Sequence, residues 1–145
     1  MSPAAFPFVV VRVGGERYGF DVAAVREVAA VGTVASVPKR LAAVRGVIAH
    51  HDRFLPLVSL AALLSGEPPP MEPSRAAVVV VMGGAEVALE VDEVESVVDG
   101  GAEHAGPAAG APAARGVWRW GGTLVTVLDP ALLAERMAAL EERER

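Results

Sequence analysis

The chain has 145 residues, 52% of them hydrophobic and 21% charged, enough apolar material for one packed domain and too much for a disordered chain. A net charge of −5 without any Lys/Arg cluster argues against a nucleic-acid binder, which normally presents a dense basic face. No cysteine is present, which removes disulfides, thiolate nucleophiles and Cys-ligated metals together.

The start, Met1 to Pro7, lacks the basic lead and long apolar core of a signal peptide. The longest apolar run, Ala76 to Met82, is far below the roughly 20 residues that cross a bilayer. A soluble, cytoplasmic protein is expected.

The first hairpin is Val9–Val13 followed by Gly14-Gly15: β-branched side chains suit a pleated surface, and paired glycines supply the positive φ of a tight turn. A short helix is expected around Pro38–Val44. His50-His51-Asp52-Arg53 is expected to form a hairpin tip with arms Val47–Ala49 and Phe54–Val58, where Pro56 implies an edge position or a bulge. Ser59 reads as the cap of a short helix over Leu60–Leu64. Gly66–Ser74, with three consecutive prolines, is expected to be an exposed loop.

A second hairpin follows at Val78–Met82 with Gly83-Gly84. Asp92, Glu93 and Glu95 alternate with Val91, Val94 and Val97 and read as the wet side of an amphipathic segment. Asp99–Ala114 reads as a second loop, with His104 solvated in it. The third hairpin is Val117–Trp120 with Gly121-Gly122; Trp118 and Trp120 share a face and read as packing residues. Asp129-Pro130 then opens a helix whose stripe is Leu132, Leu133, Met137 and Leu140, fraying into Glu141–Arg145.

These elements repeat. Gly14–Val28 falls on Gly83–Val97 at an offset of 69 residues (83 − 14), and Arg45-Gly46-Val47 on Arg115-Gly116-Val117 at 70 (115 − 45). Two structurally equivalent halves are expected, built as small barrels or a sandwich.

Reagents for catalysis are scarce. His50, His51 and Asp52 offer metal-ligand chemistry, but neighbours in a strand face opposite sides and no further ligand is evident, so neither a metal nor a cofactor is expected. Ser59 has no Gly-x-Ser-x-Gly elbow, and the Gly-Gly pairs have no phosphate-binding pattern around them. The remote alternative is a small metal-dependent hydrolase built on the two histidines and Asp52.

The ordered set Phe8–Val28, Arg45–Ile48, Phe54–Leu60, Val87–Val94 and Thr126–Pro130 resembles the CheW-like domain of chemotaxis-type signalling, from about Phe8 to Leu133. The resemblance implies an all-β fold of two SH3-like five-stranded β-barrels with pseudo-two-fold symmetry. A single domain over 6–136 is expected, with a mid-chain barrel of roughly 15–75, a second barrel from 6–14 plus 76–136, and terminal extensions at 1–5 and 137–145. It also implies a non-catalytic adaptor that bridges a methyl-accepting chemoreceptor tip and a CheA-type histidine kinase within an array. The receptor-facing groove then involves Val25, Glu27, Val94 and Val97, with Ala88 and His51 nearby, and the kinase-facing surface Val37, Pro38, Leu41 and Ile48.

The chain departs from the family pattern at the hairpin tip, where Asn-Leu-Arg-Gly is replaced by Ala49-His50-His51-Asp52. The family's arginine pairs with the glutamate matching Glu27, whereas His51 pairs only when protonated. Ser59 stands for an aspartate and Ala88 for a glycine, its methyl expected to intrude on the groove. These departures support an alternative: a divergent member that binds one partner only, or competes with a true coupler.

Overall fold

The structure, a computed structural model, describes residues 7–38, 41–108 and 110–144. In chain order its elements are β1 (Phe8–Val13), β2 (Glu16–Asp21), a single 3-10 turn (Val22–Ala24), β3 (Val25–Ala30), β4 (Val44–His50), β5 (Arg53–Ser59) and α1 (Leu60–Ser65). The second half follows with β6 (Ala76–Met82), β7 (Ala85–Val91), β8 (Glu93–Val98), β9 (Glu103–Gly106), β10 (Ala114–Trp120), β11 (Thr123–Leu128) and α2 (Pro130–Arg143). All three expected Gly-Gly hairpins form: β1–β2, β6–β7 and β10–β11.

Two sheets result, one in the order β8-β1-β2-β11-β10-β9 and one in the order β3-β6-β7-β5-β4. Replacing each strand by its counterpart one repeat away turns the second order into the first, apart from β9. The ladders repeat as well: β5 runs parallel to β7 with Leu57 opposite Ala88, and β11 runs parallel to β2 with Val127 opposite Gly19. Even the bulges coincide, at Arg45 in β4 and Arg115 in β10.

The expected barrel boundaries, however, are wrong. β2 belongs with β1 and β11, and β6 and β7 belong with β3 and β5. Each sheet therefore takes one hairpin, β1–β2 or β6–β7, from one repeat and its remaining strands from the other. The chain changes sheets after β2, where the Asp21 carboxylate accepts from Ala23 N and starts the 3-10 turn, and again between β7 and β8.

Gly46 and Gly116 explain the repeated Arg-Gly. Ala35 makes a two-bond bridge to Val47, and β9 lies along β10 with Gly106 opposite Val117. A Cβ at Gly46 would stand 2.2 Å from the Ala35 carbonyl oxygen, and one at Gly116 3.3 Å from that of Gly106. Only glycine lets the covering backbone approach so closely. The expected loop over Asp99–Ala114 is accordingly interrupted by strand β9, and His104 is half-buried there with its ring packed on Trp118, centroids 4.8 Å apart.

The helix expected around Pro38–Val44 is not present over 41–44, where a turn closes from Val44 N to Leu41 O; Lys39 and Arg40 lie outside the described residues. At the other end, 137–143 is not an extension: α2 continues to Arg143 and seats Leu140 in the core. Ser59 and Asp129 cap α1 and α2 from equivalent positions, accepting from Ala62 N and Ala131 N. Pro56 is not at an edge as expected: β5 lies between β7 and β4, with Pro56 opposite Val47 and one residue before the ladder to β7 begins at Leu57.

The interior has three parts. A shared core between the sheets includes Val11, Phe20, Val80, Leu89, Leu128 and Leu133 and is closed by α1 and α2. Phe8, Val10, Trp118, Val125 and Val127 fill one barrel, and Ile48, Leu55, Leu57, Ala77 and Ala88 fill the other. Each large side chain so buried contributes about 1.5–3 kcal/mol of transfer free energy.

One buried ion pair joins the repeats. Arg45 Nε lies 2.8 Å from Glu90 Oε2, with only 9% and 5% of the two side chains exposed. Glu90 also accepts from Ser74 N at 2.7 Å, and Arg45 donates to the carbonyls of Pro70 and Glu72. The pair thus tethers the proline-rich loop to the five-stranded sheet. Its counterpart, Arg115 and Asp21, stands 3.8 Å apart in a more exposed setting.

Candidate partner-binding site

The departures from the family pattern meet at one corner. β3 is an edge strand, and the β4–β5 tip turns beside it through His51 and Asp52, both at left-handed φ (48° and 61°). Histidine and aspartate tolerate this region better than most residues. The left-handed turn cancels the strand alternation, so the His50 and His51 rings come to the same side with centroids 4.1 Å apart.

Both rings face Glu27 of β3. His50 Nε2 is 3.0 Å and His51 Nε2 3.3 Å from Glu27 Oε1. The other carboxylate oxygen, Oε2, accepts from Arg53 NH2 at 3.0 Å, and Arg53 NH1 donates to Glu86 Oε1. Arg53, two positions after the family's arginine, therefore supplies the guanidinium that His51 does not. Contact with the His50 ring nitrogen holds the Glu27 carboxyl below its ordinary value; the charges of His50, His51 and Arg53 add to this, against partial desolvation. Nothing in the local sequence marked Arg53, because the pairing depends on how far the tip twists.

Apolar surface lies on the same strand and on its repeat counterpart. Val25 in β3 and Val94 in β8 occupy equivalent positions, are half-buried and pack against the shared core. β8 is the edge strand of the other sheet and contacts β6, the neighbour of β3. Further out, Val28 and Val97, again equivalent, are 52% and 62% exposed.

Three expected site residues are not at the surface. Ala88 is fully buried between Val79 and Leu57, so its methyl fills a barrel interior instead of narrowing a groove. Leu41 belongs to the shared core and Ile48 to the interior of the five-stranded sheet, both 2% exposed. Strand alternation decides Ile48, whose neighbours Val47 and Ala49 point outward. Val37 and Pro38 remain accessible.

The acidic run behind β8 is structural as well as wet. Asp92 accepts from Gly14 N at 2.8 Å, and Glu95 pairs with Arg17 at 2.8 Å, fastening the first hairpin to β8. Trp118 is buried in the six-stranded barrel, with Trp120 packed against the same cluster. Among the described residues no helix is long and apolar enough to cross a membrane.

Twin barrels with interchanged hairpins and two equivalent edge strands at their junction define a CheW-like domain. The model of that family, the CheW-like domain, matches residues 7–137, and the chain belongs to it. Among solved structures, the scaffolding protein TtCheW from Thermoanaerobacter tengcongensis is similar, with a TM-score of 0.74 over 91% of this chain and 89% of that one. At 19% identity this is a likeness of fold, two SH3-like subdomains in the same arrangement. No curated protein sequence matches the chain.

Proposed function

We propose that the chain is a non-catalytic adaptor of a chemotaxis-type system, holding a receptor's cytoplasmic tip and a CheA-type kinase in fixed relation. The observation that carries this reading is the Glu27–Arg53 pair, its carboxylate on edge strand β3 with Val25, together with the equivalent Val94 on edge strand β8. A fixed carboxylate flanked by half-buried valines suits a helical tip, whose few desolvated apolar contacts would dominate affinity. Val97 and His51 border the same corner. The kinase-facing surface is assigned to Val37 and Pro38, beside the Ala35 bridge that covers β4.

A titration against two fragments tests this: a receptor-tip helical hairpin and a kinase regulatory domain. Binding of both supports coupling. Binding of one supports the divergent reading, and binding of neither removes both. Val97→Glu is the variant of choice at the groove, because the exposed Val97 side chain tolerates charge whereas Val94 packs on the core. Receptor binding that survives Val97→Glu unchanged would move the groove elsewhere.

A further inference from the structure

The tip cluster carries chemistry that docking does not use. Glu27, His50 and His51 come from two separate segments, and one potential ligand atom from each lies within 4.8 Å of the other two. Ligands held about 2.0–2.2 Å from one ion at tetrahedral angles stand about 3.4 Å apart. The two nitrogen–oxygen separations, 3.0 and 3.3 Å, already approach that spacing. We propose that Glu27, His50 and His51 form a binding site for a zinc-class divalent transition ion, with one coordination position open to water.

The donor set selects the class. Two imidazoles and one carboxylate suit zinc and its first-row neighbours, whereas magnesium and calcium require oxygen ligands. The sequence alone supplied two ligands at the tip; the third arrives from β3, across a strand pairing that local spacing does not reveal.

Three further observations point the same way. His50 Nε2 is enclosed and, although close to Glu27, makes no well-aligned hydrogen bond, leaving a buried polar atom that a cation would satisfy. His51 is held at left-handed φ with its side chain 73% exposed, and among the described residues its ring lies against Glu27 and the His50 ring. Arg53 engages Oε2 and fixes the carboxylate plane, leaving Oε1 directed at the two nitrogens, as outer-shell partners of metal ligands do. With both imidazoles neutral, as metal ligation requires, Glu27 and Glu86 set two negative charges against the Arg53 guanidinium, so a dication is not repelled by the cluster.

This inference does not rest on the docking reading, and its test does not use a partner. The full chain, stripped with a chelator, is titrated with zinc chloride by calorimetry and followed by thermal unfolding. One saturable equivalent and a raised Tm are expected, with magnesium chloride producing neither. His51→Ala and Glu27→Gln should each weaken zinc binding at least about tenfold, while His104→Ala, on the other sheet, leaves it unchanged. Circular dichroism checks each fold first; should one variant fail to fold, the other decides. No saturable zinc binding, an equal response to magnesium, or wild-type affinity in the folded ligand variants would overturn the proposal.

Discussion

Gly19 in β2 stands in the six-stranded sheet where Ala88 in β7 stands in the five-stranded one, each opposite its parallel neighbour, Val127 or Leu57. A Cβ at Gly19 would meet Phe8 Cδ2 at 3.0 Å, Val125 Cγ1 at 3.1 Å and Val127 Cγ2 at 3.3 Å. The repeat counterparts of those residues around Ala88 are Ala77, Leu55 and Leu57, which share its cluster. One barrel uses a phenylalanine ring over a bare backbone; the other divides similar space between two methyl groups. Both reach close packing by opposite choices.

Gly19→Ala is therefore expected to cost about 1–3 kcal/mol through overpacking. In a Phe8→Ala background, itself destabilised, the added cost should fall, because the ring that the new methyl meets is gone. A double-mutant cycle by urea denaturation measures this coupling. Strictly additive effects would mean that the valines, not Phe8, close the site.

Glu90→Gln should be far more damaging than its surface counterparts, at about 3 kcal/mol, because it removes the negative charge that faces the buried Arg45 guanidinium. The same change loosens the hold on Ser74 N, so limited proteolysis within 66–74 should quicken alongside the shift in the urea midpoint.

Glu27 sets a pH dependence of known sign. Its carboxyl titrates below the ordinary 4.5 in the folded chain, so the folded state binds fewer protons than the unfolded one as acid is added. Its stabilisation is complete above the unfolded value and is lost as pH falls through the lowered folded value. Thermal scans of wild type and Glu27→Gln should accordingly converge on acidification, and a constant gap down to the acid limit would contradict the assignment.

Arg53→Ala should weaken binding of a receptor-tip fragment several-fold, since exposed ion pairs are worth at most about 1 kcal/mol. His51→Arg, by contrast, should change little, because Arg53 already serves Glu27. Fluorescence anisotropy with a labelled fragment distinguishes the two; a large gain from His51→Arg would show that Arg53 is an incomplete replacement.

The duplicated pattern was legible because β-branched runs, paired glycines and Arg-Gly recur at fixed offsets. What could not be read was which hairpin joins which sheet: the ladders β5–β7 and β11–β2 connect residues about 30 and 110 positions apart, and a period fixes equivalence without fixing partnership. Ala88, Leu41 and Ile48 went astray for a related reason, since family position says nothing of the side a residue presents. At the tip, alternation argued the two histidines apart, and the left-handed His51 reversed that argument. Arg45 was visible only as half of a repeated dipeptide; its carboxylate lies 45 residues away.

The interchange of hairpins also constrains how such a chain can be divided. Cut within 66–74, neither fragment would possess the strands to close a sheet, for each would be holding a hairpin that completes the other. Mixed together, the fragments have every ladder available again. By the same logic, a half-length chain of this pattern would reach closed barrels only as a pair of copies, each lending its hairpin to its twin.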